Sequence, residues 1–321
     1  MIEVQANLLG GGPTIGCLRS HMSLSLRRTL PIPEPYNLWH SVRFQRMGKH
    51  DPRAKLATDH YAFSSHLPSG TATAFIKNQG EALNVEIWGD GRDELDLALP
   101  ELLGTNQALV AEDAHQLPKP LLDLRAQGLR RTSRAHLALT ETLVPIVLQQ
   151  LVTWREAAAS WRALLHRYGS AAPGPLKLQT PPRAETLANL SLPEYRGLGI
   201  AVKRARTIQR LCANLQRHQH KVPEELTKLA MKSPGIGPWT QALFLGLEAG
   251  HSDVIPTGDY HLPSTVLWAL SGTRSGTDED MLCALEPHQG YRFDVIRLIM
   301  GSNISAPRRN PRMPYRRPEH R

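Results

Sequence analysis

The first third of the chain alternates hydrophobic and polar residues over short distances. Residues 39–44 alternate with a period of two, which is typical of a half-buried β-strand. Residues 71–77 and 83–88 have the same strand-like character and flank the polar segment 78–81, which predicts a hairpin loop. Residues 93–103 follow with the spacing of a helix. The pattern predicts a small antiparallel sheet with a helix packed on it.

From about residue 118 onward, the apolar positions recur at helical spacing and the loops are short. Pro145 leaves open whether the apolar segment 137–148 forms one helix or two joined at the proline. The predicted helices are 137–148, 154–168, 183–190, 203–217, 224–231, 240–247, 262–270, 279–285 and 293–300. The fold class predicted from the sequence is therefore α+β: a small antiparallel-sheet N-terminal domain followed by an all-α domain.

These patterns divide the chain into four parts. Residues 1–22 are predicted to be a disordered, glycine-rich extension, and Met22 is an alternative start. Residues 23–117 form the predicted α+β domain, and residues 118–305 form the predicted helical domain. Residues 306–321 hold six arginines among four prolines, a composition that cannot build a core. This tail is either a solvated end or a basic arm on nucleic-acid phosphates.

Composition narrows the class of protein. Among 321 residues, Lys and Arg total 38 against 29 Asp and Glu, a formal net charge of +9. This excess favours a polyanionic partner, although a basic metabolic enzyme has the same signature. Three well-separated cysteines, Cys17, Cys212 and Cys283, indicate no zinc site, iron–sulfur cluster or disulfide framework. The sequence shows neither a membrane span nor a signal peptide, so a cytoplasmic location is expected.

The segment Ser233-Pro-Gly-Ile-Gly-Pro-Trp-Thr240 interrupts two helical patterns. Pro-Gly-Ile-Gly cannot continue a helix, and the tight turn that it forms leaves backbone N–H groups unpaired. A helix, a glycine hairpin and a second helix together can present amides to a DNA phosphate. Asp259 follows Thr240 by nineteen residues. Taken alone, Asp259 would more often be a turn residue after Gly258.

Several segments together carry a resemblance to a known family. They are residues 148–153, 196–205, 232–240, 253–262 and 286–292, followed by 306–309. With these motifs the chain resembles the helix–hairpin–helix superfamily of DNA glycosylases, and it looks most like bacterial 3-methyladenine DNA glycosylase II and its actinobacterial-type relatives. The resemblance extends from about residue 137 to residue 317 and is weak over the N-terminal domain.

The resemblance assigns roles to individual residues. It makes Asp259 the catalytic carboxylate, with Asp253 as the competing candidate. It assigns Trp239, Tyr260 and His288 to the base pocket. It assigns Leu151 and Gln150 to the DNA wedge. It assigns Gly235, Ile236, Gly237 and Thr240 to binding of the DNA backbone. The backbone carbonyls that it assigns to a monovalent cation are those of Met231, Ser233 and Ile236. By residue type alone, Leu151 would more often be a core leucine, and Trp154, Trp161 and Trp268 are expected in the core.

The implied chemistry is the excision of a base that has been flipped out of the duplex. In bifunctional members of the family, the residue two positions after the second hairpin glycine is a lysine. In this chain that residue is Trp239. Since indole is no nucleophile, we expect a monofunctional enzyme that hydrolyses the bond to an alkylated purine of the 3-methyladenine or 7-methylguanine type. It would be a monomer associated with the bacterial nucleoid, act on damaged double-stranded DNA and need no organic cofactor. The alternatives are a non-catalytic lesion-binding protein and a bifunctional glycosylase/lyase for oxidised bases.

Overall fold

The computed structural model describes residues 25–110, 116–133, 137–302 and 304–307. The predicted N-terminal extension, residues 1–22, and the six arginines of the predicted tail lie outside these residues. Within the described ranges, no helix is both long enough and apolar enough to span a membrane.

The N-terminal part is a five-stranded antiparallel sheet in the order β1-β5-β4-β3-β2. The strands are β1 Leu26–Pro31, β2 Ala54–Leu56, β3 His60–Leu67, β4 Gly70–Asn78 and β5 Ala82–Trp88. The helices of this part are α1 Leu38–Val42 and α2 Arg92–Leu103. The predicted hairpin between β4 and β5 is confirmed, because Gln79 N–H donates to the carbonyl of Ala82 at 2.9 Å. The predicted helix over residues 93–103 is also confirmed.

The predicted strand over residues 39–44 is wrong. This segment is helix α1, followed by a 3-10 turn over Arg43–Gln45. Asn37 begins the helix, because its side-chain oxygen accepts a hydrogen bond from His40 N–H at 3.0 Å, as an N-cap residue does. The buried residues Leu38, Ser41 and Val42 have the spacing of one helix face, which the alternation of neighbouring polar residues had obscured.

The helical part surrounds two cores rather than one. Its helices are α3 Lys119–Ala126, α4 Leu139–Leu148, α5 Trp154–Tyr168, α6 Ala184–Asn189, α7 Leu192–Gly197, α8 Val202–Arg217, α9 Pro223–Met231, α10 Pro238–Leu243, α11 Leu262–Ser271, α12 Asp278–Leu285 and α13 Arg292–Gly301. Two short strands, β6 Ser170–Ala171 and β7 Gln179–Thr180, pair beside them. Pro145 lies inside α4 without dividing it.

The larger helical core joins α4 and α5 to α8, with contributions from α6, α7, α9 and α10. The second joins α3, α11, α12 and α13. Val110 and Leu117 belong to this second core, so residues on both sides of the predicted boundary at residue 118 share one core.

The sheet contacts the helical part through β3. Residues 61–67 of this strand are all buried, so both faces of the strand are covered. Ser64 Oγ donates to the carbonyl of Gln179 in β7. Glu141 of α4 accepts hydrogen bonds from Ser65 Oγ and His66 N–H, both at 2.7 Å. The sheet is thereby fixed to α4, next to the cavity described below.

Candidate active site

The glycine hairpin lies between α9 and α10 and has the geometry that its sequence predicts. Gly235 has φ +97°, and a Cβ at this position would collide with Thr207 of α8. Ile236 N–H donates to the carbonyl of Ser233 at 3.0 Å and closes the turn. In the described part of the chain, no group accepts a hydrogen bond from the amides of Gly235 and Gly237. These two amides are therefore available to an incoming anion.

Two of the residues predicted to contact the DNA backbone turn inward. Ile236 is 5% exposed and Thr240 is 1% exposed. The amide of Ile236 is used within the turn, and the Thr240 hydroxyl accepts a hydrogen bond from Gln150 Nε2 at 3.0 Å. Their side chains support the hairpin from inside, whereas Gly235 lies exposed on its surface.

Asp259 lies in the loop before α11 and is half-buried. Its Oδ2 accepts a hydrogen bond from the indole Nε1 of Trp239 at 2.8 Å. Its Oδ1 accepts from the backbone N–H groups of His261 and Leu262, at 2.8 and 2.9 Å. Each of these donors is neutral, and no ion pair among the described residues includes Asp259. The carboxylate is held in one orientation, and no cationic side chain among the described residues neutralises its charge.

The loop that carries Asp259 is fixed from the side of α12. Gly258 has φ +83°, and its N–H donates to Asp278 Oδ2 at 2.7 Å. Asp278 is the first residue of α12. This contact fixes the backbone immediately before the carboxylate.

Asp253, the competing carboxylate, is engaged differently. Arg292 forms a bidentate pair with it, from Nε to Oδ1 at 2.5 Å and from a terminal nitrogen to Oδ2 at 2.7 Å. The hydrogen bond from the Arg292 side chain is the main cause that lowers the pKa of Asp253 below its usual value. This ion pair attaches the start of the loop to α13, so the contact that Asp253 makes is a structural one.

The predicted wedge segment follows α4. Leu151 has φ +58° and is 90% exposed, so it is not a core leucine. A left-handed backbone costs a leucine roughly 1–2 kcal/mol, and such residues concentrate at functional sites. Gln150 Nε2 donates to the carbonyl of Gly235 at 2.9 Å, and Arg204 donates to the carbonyl of Leu148 at 2.7 Å. The loop is thus attached to the hairpin on one side and to α8 on the other.

A cavity of about 260 Å³ opens beside Asp259, close to the lower end of the range for small-ligand pockets, about 300–1,000 Å³. The aromatic residues that line it are Phe44, Trp154, Trp161, Trp239 and His261, and its acidic residues are Asp51, Glu141, Glu248 and Asp259. Arg46 and Arg53 are its basic residues. The acidic residues outnumber the arginines, so the formal charge of the lining is negative.

The polar end of the cavity comes from the N-terminal part and α4. Arg53 is buried and pairs with Glu141 at 3.4 Å, and its terminal nitrogen also donates to the carbonyl of Gln45 at 2.6 Å. Asp51 accepts from the indole N–H of Trp161 at 3.0 Å. Arg46 lies 5.2 Å from the Trp39 ring centre, and burial lowers the pKa of its guanidinium.

The structure does not bring every predicted pocket residue to the cavity. Trp239 lines it, whereas Tyr260 and His288 do not. Tyr260 is 87% exposed and meets the ring of His261 edge-on at 4.8 Å. His288 is buried elsewhere, and burial lowers its pKa. His261 is the aromatic residue of this loop that lines the cavity.

The sequence also missed residues that the structure places in the cavity wall. Trp154, expected in the core, is 50% exposed and lies at the first position of α5, after the Thr153 cap. Its position beside the wedge segment was the available signal. Glu141 is the one charged residue of helix α4, whose other residues are apolar or threonine, and this signals a buried charge. Arg46 and Arg53 carry no comparable signal, because the sequence does not show that the N-terminal part reaches the cavity.

The three carbonyls assigned to a monovalent cation are all engaged within the protein. Gln241 Nε2 donates to the carbonyl of Met231 at 2.9 Å and to that of Ile236 at 3.1 Å. The carbonyl of Ser233 accepts from Ile236 N–H. The residues present do not fit the predicted ion, because the amide nitrogen lies between two of its supposed ligands.

Comparison with solved structures identifies the fold. The 3-methyladenine DNA-glycosylase from Archaeoglobus fulgidus superimposes with a TM-score of 0.68 and 17% identity over 85% of this chain and 96% of that one. The structure of MBOgg1 in complex with a low-affinity DNA ligand gives 0.64 and 17% over 86% and 94%. The Clostridium acetobutylicum 8-oxoguanine glycosylase/lyase in complex with DNA gives 0.61 and 10% over 83% and 91%.

The chain has the DNA glycosylase fold. The predicted α+β class, with a sheet domain before a helical domain, is confirmed by the sheet and by these neighbours. A scan against protein-family models finds no match. A search of curated proteins finds none either.

Proposed function

We propose that this protein is a monofunctional DNA glycosylase that flips a damaged base into the cavity and hydrolyses its N-glycosidic bond. The observation that carries the proposal is the position of Asp259, which is oriented by Trp239 at the edge of an aromatic cavity. The hairpin amides of Gly235 and Gly237 would bind a backbone phosphate, and Leu151 would fill the gap left by the flipped base.

The chemistry follows from the charge of Asp259, which has no cationic partner within the described ranges. Breaking an N-glycosidic bond builds positive charge on the sugar ring, as in glycoside hydrolysis. A carboxylate held by neutral donors stabilises that charge and can orient the attacking water. No organic cofactor is needed, and an abasic site is the product.

Two observations support hydrolysis without a lyase step. The residue two positions after Gly237 is Trp239, and its N–H is used by Asp259. Among the residues that line the cavity, none is a lysine. A Schiff base needs an amine at the sugar carbon, so strand cleavage is not expected.

The cavity favours a cationic base as the substrate. Aromatic faces attract a cation by about 0.5–2 kcal/mol, and carboxylates exceed arginines in the lining. Alkylated purines of the 3-methyladenine and 7-methylguanine type carry a positive charge, and the substrate class that the cavity supports best is therefore the one expected from the sequence.

A second candidate is an oxidised base such as 8-oxoguanine. Arg46 lines the cavity and can donate hydrogen bonds to a base carbonyl. One structural neighbour, from Clostridium acetobutylicum, is named as an 8-oxoguanine glycosylase/lyase. The excess of carboxylates over arginines favours the alkylated purine over this alternative.

The test is a set of duplexes that each contain one lesion, incubated with protein and analysed for freed base and for strand breaks. We expect free 3-methyladenine or 7-methylguanine, intact strands and no adduct on borohydride treatment. Release of 8-oxoguanine with borohydride trapping would establish the second candidate instead. Lesion binding without release from any duplex would make the protein a non-catalytic lesion-binding module.

A further inference from the structure

Gln241 lies one turn into α10 and folds back under the glycine hairpin. Its Nε2 contacts the carbonyls of Met231 and Ile236, at the two ends of the turn, at 2.9 and 3.1 Å. Both partners are acceptors only, so the hydrogen-bond network requires the NH₂ end of the amide to face them. One NH₂ group has two donors and can satisfy two carbonyls at once.

This position is the one that a cation bridging the same carbonyls would need. Backbone carbonyls bind monovalent cations by replacing their hydration shell, and they must then converge on a single point. Here the two carbonyls already converge on Nε2. The amide supplies partial positive charge there, and it is covalently attached to the helix that it supports.

We propose that the Gln241 side chain takes the place of a hairpin cation, so that the hairpin keeps its DNA-binding shape whichever monovalent cation is in solution. The proposal rests on the proposed function only where DNA binding is the readout. Gln241 is a positioning residue, since it acts on DNA through the hairpin amides and touches none of the reacting atoms.

The first experiment measures the affinity of the protein for a duplex with a tetrahydrofuran abasic site. It compares KCl, NaCl and choline chloride at one ionic strength, because total salt alone changes DNA affinity strongly. The wild type should bind equally in all three salts, within about twofold. Gln241→Ala removes both hydrogen bonds and frees the carbonyls, so it should lose about tenfold in affinity in choline chloride relative to KCl.

Gln241→Glu is a second variant that preserves side-chain length. It replaces the donor with a carboxylate and creates an all-oxygen set of ligands, which suits a cation, so it should also bind more weakly in choline chloride. The matched control is Gln209→Ala on α8. Its Nε2 donates to the carbonyl of Leu190 at 2.7 Å, away from the hairpin. The control should lose stability without acquiring cation dependence.

A readout without DNA separates this proposal from the proposed function. Thallium(I) substitutes for potassium, and its own NMR signal reports when it is bound. The wild-type protein should not change this signal, and its melting temperature should not change when thallium is added. Gln241→Ala and Gln241→Glu should bind the ion. Thallium binding to the wild-type hairpin would overturn the proposal. Cation independence of both variants would also overturn it. Absence of DNA binding in every salt would refute the proposed function, and the thallium result would still decide the role of Gln241.

Discussion

Two carboxylates stand at opposite ends of one turn and meet different partners. Asp253, at its start, accepts two hydrogen bonds from the cationic guanidinium of Arg292 and a longer one from the backbone N–H of the same residue. Asp259, at its end, accepts from an indole and two backbone amides, all neutral. Both side chains are fixed in orientation, but only the charge of Asp253 is neutralised by its partner.

This difference is the one that we expect between a structural and a catalytic use of the same side chain. A carboxylate that is paired with a cation attracts a second positive charge only weakly, because the fields of the two partners largely cancel. A carboxylate held by neutral dipoles keeps its field and loses only its freedom of orientation, which is the condition for electrostatic stabilisation of a developing cation. The sequence distance between the two residues is six, so position along the chain alone does not distinguish them.

The largest expected effect is on base release. Asp259→Asn preserves shape and removes the charge, so single-turnover release of an alkylated purine should fall on the order of 10³-fold. Asp253→Asn, the matched substitution at the other end of the turn, should release base at the wild-type rate. Equal losses in both variants would remove the distinction between the two carboxylates.

The next effect concerns the donor that orients Asp259. Trp239→Phe keeps an aromatic face and removes the N–H, a hydrogen bond to a charged group worth about 1.5–3 kcal/mol. Base release should therefore fall about tenfold to a hundredfold. Trp268→Phe, on the half-buried face of α11, is the matched control and should retain activity. An unchanged rate in Trp239→Phe would mean that the indole does not orient the carboxylate.

Leu151 tests the wedge separately from the chemistry. Because its side chain is exposed and its φ is positive, Leu151→Gly should change the free energy of unfolding by less than about 1 kcal/mol. A core leucine would cost about 2–5 kcal/mol on truncation. Base flipping, followed by the fluorescence of 2-aminopurine next to the lesion, should fall about tenfold. A large loss of stability would restore the interpretation of Leu151 as a core residue.

The smallest expected effect is on stability at the Asp253 end. The folded-state pKa of Asp253 is lowered from 3.8, so its pair with Arg292 stabilises the protein above that pH and the contribution is lost as the pH falls through the folded pKa. The pair is about 30% exposed, so solvent screening limits it to about 1 kcal/mol. Urea unfolding of Asp253→Asn should show this deficit at pH 7 and almost none near pH 2. A deficit that persisted at the acid end would exclude the ion pair as its cause.

The sequence predicted most helices, and it predicted the hairpin turn from its glycines. The roles of Asp259 and Leu151 came instead from the resemblance of short segments to DNA glycosylases, and they stay predictions. Strand β3 was not predicted, because a strand that is buried on both faces lacks the hydrophobic–polar alternation that identifies a strand. In addition, it contains the polar residues Ser64, Ser65 and His66.

The site residues that sequence could not supply are those brought together by tertiary packing. Arg46 and Arg53 reach the cavity only because the sheet is fixed to α4 through Glu141. The Trp239–Asp259 hydrogen bond joins residues twenty positions apart, and residue types do not reveal which way an indole N–H points. The resemblance placed Tyr260 in the pocket, yet adjacent side chains in a turn point in different directions, and Tyr260 is exposed.

The central claim is that Asp259 presents to the sugar a negative charge that no cationic side chain in the described part of the chain neutralises. Its most direct test compares the affinity for two duplexes, one with a cationic pyrrolidine in place of the sugar and one with the neutral tetrahydrofuran analogue. Wild type and Asp253→Asn should bind the cationic duplex more tightly by on the order of a hundredfold, as expected for a transition-state mimic, and Asp259→Asn should bind both equally. A preference for the cationic sugar that survives in Asp259→Asn would contradict the account.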